Sequence, residues 1–263
     1  MLDRTSHQQQ ATLIRRAVVE LLYTSGGGHF GGSLSPIDLL LVIWRDFLNL
    51  EDEVRDRFVL SKGHAAPALY CVMRALGRLN PDALAGLGQD PAAMAMHPEI
   101  GRPELSDFST GSLGQGLSAA LGMALLLRTH QRRAWVVLGD GECQEGQIWE
   151  AAMLASRLRV ANLVAVVDCN GRQEWGYRDG PSTPVLGLAE KWRAFGWRVV
   201  EVDGHDPDGL RAAFNGIVRE PAEAPAVVLA TTIKGRGVPM MMADPDRFHC
   251  ATLDAREFAT LQI

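Results

Sequence analysis

Residues 134–170, AWVVLGDGECQEGQIWEAAMLASRLRVANLVAVVDCN, carry the most regular secondary-structure pattern in the chain. Two short apolar runs, at 134–138 and 162–168, enclose a segment at 145–158 whose apolar residues recur with helical spacing. A strand, a helix and a second strand of these lengths form a β-α-β unit, and its right-handed crossover favours neighbouring parallel strands. Because both runs are apolar apart from Asn162 and Asp168 at the ends of the second, the segment predicts two adjacent strands that are buried on both faces.

The same alternation of apolar strands and amphipathic helices continues along the chain. We predict a doubly wound α/β fold, with a mostly parallel sheet and helices on both faces, that occupies residues 1–263 as a single domain. Ser35 is the predicted N-cap of a helix that runs to about Phe47, and the stretch 81–107 is predicted to be irregular. The other predicted elements are helices at 10–24, 65–76, 111–127, 186–195 and 207–218, and strands at 58–60, 197–202 and 226–232.

Composition narrows the class of protein. The 263 residues are 47% hydrophobic, the net charge is −5, and the basic residues are scattered, so neither nucleic acid nor a membrane surface is an expected partner. The longest apolar run is far shorter than the roughly 20 residues that cross a bilayer. The N-terminus lacks a signal-peptide pattern, and the four cysteines form no CxxC pair. We therefore expect a cytoplasmic protein with reduced thiols and without a zinc site.

Polar residues follow both strands of the β-α-β unit. Asp140 lies in Gly139-Asp140-Gly141-Glu142 after the first strand, and Asn170 follows the second strand. Ligands in open parallel sheets bind beyond the carboxyl ends of the strands, so both side chains are expected in one crevice. Carboxylate and amide oxygens suit Mg²⁺ or Ca²⁺, and the glycines let the backbone approach a diphosphate. Each motif alone is more often an ordinary turn, but the pair across a β-α-β unit is far more specific.

This GDG…N pair resembles the thiamine diphosphate motif, and its QEG and WEAA portions resemble those of transketolases in particular. Further segments match motifs of the same family in the same order: GGGHFGGSLSPIDLL, RFVLSKGHAAPALY, MHPEI, STGSLGQGLSAALGMA and TTIKGRG. The resemblance spans nearly the whole chain. It implies the thiamine diphosphate-binding fold of the PP-type domain, with thiamine diphosphate and Mg²⁺ (or Ca²⁺) as cofactors.

The resemblance also implies roles for individual residues. Any one of the histidines, taken alone, is more commonly a structural hydrogen-bonding residue, and Glu145 and Glu150 also suit an ordinary helix N-terminus. Neutral imidazoles can move protons near pH 7, as this chemistry requires. The implied metal ligands are Asp140, Asn170 and the backbone carbonyl of Arg172; the implied cofactor-binding residues are His64, Gly111, Ser112, Leu113, Asp140, Gly141, Glu142, Asn170 and His249; and the implied catalytic residues are His29, His64, His97, His249 and Glu145.

A transketolase also needs a glutamate that bonds the aminopyrimidine, and the family carries it in a second α/β domain. The sequence ends at Ile263, soon after TTIKGRG, where the first domain of the family ends. The resemblance therefore implies the N-terminal subunit of a split transketolase, with the pyrimidine and C-terminal domains on a separate C-terminal subunit that carries the catalytic glutamate. The expected assembly is an α2β2 heterotetramer that transfers a two-carbon ketol unit between sugars or sugar phosphates.

Three features depart from the family pattern. Arg172 and Glu174 stand where apolar residues are usual, which makes the rim of the site more polar. Cys250 replaces the glycine after His249, so the turn is expected to lack glycine's conformational freedom and to displace that histidine. The approach to HPE, at 81–96, is short and unlike that of the family.

Three other functions compete with this interpretation. The first is a split thiamine enzyme that uses an α-keto acid donor, or one that resembles deoxyxylulose phosphate synthase. The second is a non-catalytic, cofactor-binding subunit that stabilises its partner. The third is a nucleotide-binding Rossmann protein, which the absence of a GxGxxG between a first strand and a helix, and of a P-loop, argues against.

Overall fold

A computed structural model describes residues 4–90, 93–174, 176–177, 187–220 and 223–263. Five strands form one sheet in the order β1-β2-β3-β7-β6, and every adjacent pair is parallel. A short antiparallel pair, β4 and β5, follows β3. The predicted parallel sheet and the pairing of the two central strands are therefore confirmed. The strands are β1 (Arg57–Leu60), β2 (Ala134–Gly139), β3 (Leu163–Cys169), β4 (Arg172–Gln173), β5 (Gly176–Tyr177), β6 (Arg198–Asp203) and β7 (Ala226–Thr231).

Helices cover both faces of this sheet. None of those in the described part of the chain is long and apolar enough to cross a membrane. The predicted helix at 186–195 is seen from Leu188, and residue 186 lies outside the described residues. The helices are α1 (Arg4–Thr24), α2 (Phe30–Leu34), α3 (Ile37–Val42), α4 (Ala66–Ala75), α5 (Gly116–Leu127), α6 (Gly146–Arg157), α7 (Leu188–Ala194), α8 (Pro207–Arg219), α9 (Pro239–Ala243) and α10 (Ala255–Thr260).

The sheet separates two apolar cores. Successive side chains of a strand point to opposite faces, so Trp135 and Val137 of β2 pack with α1, α3, α4 and α8. Their neighbours Val136 and Leu138 pack with α5, α6 and α7. All four side chains are completely buried. This double burial explains why the strands are continuous apolar runs in the sequence, and it confirms the doubly wound architecture.

Two predicted helix starts are wrong. Ser35 does not cap α3, since the N-cap position belongs to Pro36; instead the Ser35 hydroxyl donates to the buried Asp168 carboxylate at 2.6 Å. The helix predicted from residue 111 begins only at Gly116. Gly111 (φ +153°) and Gly114 (φ +85°) adopt backbone conformations that interrupt a helix. These glycines therefore form a loop at the sheet edge.

The carboxyl ends of four strands meet at one edge of the sheet. Lys62 and His64 follow β1, Asp140 follows β2 and Asn170 follows β3. The turn after β7 adds Lys234 to the same edge. Residues far apart in the chain are thus brought together where parallel α/β sheets bind ligands.

Candidate active site

A cavity of about 400 Å³ opens at this edge of the sheet. Apart from Ser112, every predicted site residue lines it. Lys62, Lys234 and Glu174 contribute further charges to its wall. The predicted residues that line the cavity are His29, His64, His97, Gly111, Leu113, Asp140, Gly141, Glu142, Glu145, Asn170, Arg172 and His249.

Oxygen atoms converge at the ends of β2 and β3. The buried Asp140 carboxylate accepts hydrogen bonds from the backbone N–H groups of Gly141 (2.9 Å) and Gly171 (2.8 Å). The Asn170 amide oxygen accepts from the Arg172 N–H at 3.0 Å. A Cβ added at Gly141 would lie 3.9 Å from the Arg172 carbonyl oxygen. A carboxylate, an amide oxygen and a main-chain carbonyl thus surround one loop, and this donor set suits a hard divalent cation.

These donors do not form a complete metal site by themselves. Within the described ranges, no group of three or more His, Cys, Asp or Glu side chains is arranged to hold a metal ion. A cation at Asp140 and Asn170 therefore needs further oxygen ligands. Phosphate oxygens of a bound ligand are suitable, because Mg²⁺ is commonly bound by one or two protein side chains and a ligand phosphate.

Glu142 supports the loops beneath the cavity. One carboxylate oxygen accepts from the Ser61 hydroxyl (2.5 Å) and the Gly114 N–H (2.9 Å), and the other accepts from the Gly139 N–H (3.0 Å). Burial raises the pKa of Glu142, although these hydrogen bonds oppose the rise. The side chain therefore joins the ends of β1 and β2 to the glycine-rich loop. Its carboxylate oxygens are engaged with the protein, so direct contact with a cofactor stays a prediction.

Four histidines also line the cavity; we call His29, His64, His97 and His249 the front cluster. The ring centre of His29 lies 5.1 Å from that of His64 and 5.6 Å from that of His249. Burial, followed by neighbouring positive charge, lowers the pKa of His29 and of His249 to about 4. Burial also lowers the pKa values of His64 and His97. The front cluster is therefore neutral at pH 7 and able to donate or accept protons.

Two lysines in the cavity wall were missed from the sequence. Lys62 is 1% exposed, and its ammonium donates to Asp168 at 2.5 Å. The Lys234 Nζ lies 2.7 Å from the Nδ1 atom of His249. Burial lowers the pKa of Lys234 to about 8, so its charge is sensitive to the surroundings. Both lysines precede a glycine just after a predicted strand, in SKGH and IKGR, which is the signal that identifies them.

Arg172, one of the departures from the family pattern, forms an ion pair at the cavity rim. The Arg172 Nη1 lies 3.2 Å from both carboxylate oxygens of Asp246, three residues before His249.

The expectation that Cys250 would displace His249 is wrong. The described non-glycine residues with positive φ are Gln131 and Arg159, so Cys250 needs no glycine-like conformation. His249 lines the cavity as the family pattern predicts.

Comparison with known proteins identifies this arrangement. Residues 6–263 match the family described as "Transketolase, thiamine diphosphate binding domain". The chain belongs to this transketolase family. The match covers nearly the whole sequence, and it agrees with the positions of the GDG loop, Asn170 and the histidine-bearing loops around one cavity.

Two relatives resemble the chain over most of their own length. It is 39% identical to "6-deoxy-6-sulfo-D-fructose transketolase subunit SqwG" of Clostridium sp. over 237 residues, which cover 88% of this chain and 86% of that protein. It is 34% identical to an apulose-4-phosphate transketolase subunit of Phocaeicola vulgatus, with coverages of 86% and 82%. A solved transketolase from Leishmania mexicana superposes with a TM-score of 0.82 at 27% identity, over 96% of this chain. The chain spans 40% of the length of that transketolase.

Proposed function

We propose that the chain is the N-terminal subunit of a two-component transketolase. It holds thiamine diphosphate and a divalent metal, and with a partner chain it transfers a two-carbon ketol unit from a ketose to an aldose. The observation that carries the proposal is that the donors Asp140 and Asn170 and the front cluster line the same cavity. Two transketolase proteins whose names call them subunits, and which match this chain over more than four fifths of their length, support the two-component form.

The residues around the GDG loop fit the cofactor. Asp140, Asn170 and the Arg172 carbonyl would hold Mg²⁺ or Ca²⁺, and Gly141 and His64 would contact the diphosphate. The backbone of Gly111 and Leu113 would meet the aminopyrimidine; Ser112 lies beside them in the same loop but outside the cavity lining. Glu142 would act indirectly, by fixing the ends of the two strands and the glycine-rich loop. When bound, thiamine diphosphate supplies a carbon nucleophile and an electron sink.

The front cluster would donate protons to the sugar and accept protons from it. Neutral imidazoles can donate to a developing alkoxide and accept protons from hydroxyl groups. Their lowered pKa values keep this neutral form available at pH 7. Glu145 lies at the rim of the cavity, and we assign it to proton transfer toward a neighbouring active site.

An exposed apolar surface supports assembly with other chains. Leu126 of α5 is 78% exposed and Met153 of α6 is 52% exposed, and Leu125 and Leu154 lie beside them in sequence with exposed side chains. Helices α5 and α6 cover the same face of the sheet. Large exposed apolar groups on adjoining helices are typical of interaction sites. We propose that this surface contributes to an α2β2 assembly with the C-terminal subunit that carries the catalytic glutamate, in the cytoplasm.

The test is reconstitution of ketol transfer. The purified chain is assayed alone and with a candidate partner that contains the pyrimidine-binding domain, using hydroxypyruvate or xylulose 5-phosphate as donor and an aldose as acceptor. We expect activity only with both chains, thiamine diphosphate and Mg²⁺. Turnover by the chain alone would overturn the two-component proposal. Turnover of pyruvate in place of the ketol donors would instead favour the α-keto acid alternative.

The non-catalytic alternative is tested with the same complex. The variants His64→Ala and His97→Ala are expected to lose activity while they still bind the partner. Full activity of both variants would support a subunit that only stabilises its partner. The surface variant His130→Ala is the matched control, because His130 is exposed and far along the chain from both histidines.

A further inference from the structure

A second group of ionisable residues lies outside the cavity lining, around the first turn of α3. The buried Asp38 carboxylate forms an ion pair with Arg15 of α1 and contacts His7 Nε2 at 3.3 Å. It also contacts the Nδ1 atom of His205, in the loop after β6, at 2.8 Å. We call His7, Asp38 and His205 the back cluster. Burial alone would raise the pKa of Asp38, but hydrogen bonds from His205 and His7 and the charge of Arg15 hold it well below its ordinary value.

The two hydrogen bonds of His205 show which of its ring nitrogens carries the proton. Its Nε2 atom lies 2.9 Å from the backbone nitrogen of Ile233. A backbone N–H can only donate, so this Nε2 is an unprotonated acceptor. The ring proton is therefore on Nδ1, where the Asp38 carboxylate accepts it. The His205 side chain is 8% exposed, and its bond to Asp38 is partly buried, whereas its bond to Ile233 lies at the surface.

The bond to Ile233 fixes one end of the turn that carries Lys234. The other end is fixed by the Gly235 N–H, which donates to the Gly31 carbonyl at 3.1 Å. Between these two anchors, the Lys234 side chain passes over Gly31, where an added Cβ would lie 2.9 Å from Lys234 Cγ. Its Nζ then reaches His249 at 2.7 Å. The position of this ammonium group in the cavity therefore depends on two backbone hydrogen bonds.

We propose that His205 is a positioning residue that accepts from the Ile233 N–H, fixes the turn at 233–237 and so holds Lys234 against His249. His205 lies outside the cavity lining and acts only through the Ile233 N–H. Loss of this hydrogen bond would shift the turn by a fraction of an ångström. That shift would change the contact between Lys234 and His249 and the exposure of Lys234 to water. The catalytic consequence rests on the proposed function, but the positioning itself does not.

Two conservative substitutions test the two hydrogen bonds of His205 one at a time. In His205→Asn, the amide nitrogen can take the place of Nδ1 and donate to Asp38, but nothing reaches Ile233. In His205→Gln, the longer side chain can bring its amide oxygen to the place of Nε2 and accept from Ile233. The pair therefore distinguishes loss of the acceptor from a general disturbance of the buried loop.

The first measurement is hydrogen exchange of the Ile233 amide, together with the pKa of Lys234 followed by NMR after reductive ¹³C-methylation. In His205→Asn, we expect exchange at Ile233 to accelerate by about 10-fold or more, because its hydrogen bond is lost. The pKa of Lys234 should rise from about 8 toward 10.5 as the side chain gains water. His205→Gln should stay near the wild type in both respects. The Leu163 amide, which donates to the Val160 carbonyl in another loop, is the internal control.

The second measurement is ketol transfer by the reconstituted complex. His205→Asn should lower kcat by about 10-fold, the scale at which supporting residues act on a site, and His205→Gln should restore most of it. Unchanged exchange and unchanged Lys234 pKa in His205→Asn would overturn the proposal, as would a His205→Gln variant that behaves like His205→Asn. If the first measurement succeeds while the wild-type complex shows no ketol transfer, the proposed function fails and the positioning role stands.

Discussion

The front and back clusters contain the same residue type in opposite settings. In the back cluster, the rings of His7 and His205 each touch the Asp38 carboxylate through one nitrogen and a second protein group through the other. In the front cluster, the ring centres of His29, His64 and His249 lie 5.1 to 6.4 Å apart, and all four histidines line a cavity together with two lysines. Both ring nitrogens of each back-cluster histidine are thus engaged by protein groups, whereas the neutral rings of His29 and His64 line a cavity that a ligand can enter.

Breaking the front cluster should have the largest effect. His64→Ala, assayed as the reconstituted complex, is expected to lower kcat/KM by about 10²- to 10³-fold, because it removes a group that can donate or accept protons. Its thermal stability should change little, since the ring lies at a cavity. His130→Ala is the control for the removal of an exposed imidazole. A loss of stability as large as that of a core substitution would place His64 with the structural histidines instead.

Breaking the back cluster should act on stability. Asp38→Asn leaves the buried Arg15 guanidinium without its counter-charge, and such a change costs about 3 kcal/mol. Urea unfolding monitored by tryptophan fluorescence measures the effect. Asp82→Asn, at an exposed position, is expected to be neutral. If Asp38→Asn were equally stable, the carboxylate would not be the centre of the cluster.

The pH dependence of stability should distinguish the clusters further. The folded-state pKa of His29 and His249 is about 4, against an ordinary value of 6.5, so the unfolded chain binds more protons between these values. Their contribution to stability is complete above pH 6.5 and is lost as the pH falls toward 4. Asp38 also has a lowered pKa, and its contribution is lost only below its ordinary value of 3.8.

The experiment is urea unfolding at a series of pH values. His29→Asn should flatten the decline between pH 6.5 and 4, while His130→Asn should leave it as steep as in the wild type. An equally steep decline in His29→Asn would mean that the front cluster does not cause it.

The smallest effect is expected at the rim. Arg172→Ala removes a partly exposed ion pair with Asp246, worth at most about 1 kcal/mol. The proposed metal ligand is the backbone carbonyl of residue 172, so the substitution should change metal affinity by less than about 3-fold. Isothermal titration with Mg²⁺ in the presence of thiamine diphosphate measures it, with Arg159→Ala as a control at an exposed ion pair. A larger loss would mean that the side chain itself supports the site.

Local sequence patterns predict the central strands and the residues of the cavity well. The apolar runs around the GDG loop gave the pairing of β2 with β3, and the motif histidines do meet in one cavity. Short elements such as α2 and α9, with five residues each, carry too little periodicity to be predicted. The apolar pattern predicts a helix from residue 111, but it does not reveal the positive φ values of Gly111 and Gly114, which exclude the loop at 111–115 from that helix.

Long-range polar contacts cannot be predicted from local sequence patterns. His205 meets Asp38 across 167 residues of sequence, Ser35 meets Asp168 across 133, and Lys62 meets Asp168 across 106. Each contact depends on how several strands and loops converge at the sheet edge, which no single window of sequence encodes. The back cluster was therefore not predicted, although its histidines were visible in the sequence.

The proposed function requires the cavity to bind thiamine diphosphate through a metal held at Asp140. Equilibrium binding of thiamine diphosphate to the reconstituted complex, measured with and without Mg²⁺ for the wild type and for Asp140→Asn, tests it directly. We predict metal-dependent binding by the wild type and a loss of affinity of about 100-fold in Asp140→Asn, because the substitution removes the charge that binds the cation. Equal, metal-independent binding by both proteins would contradict the claim.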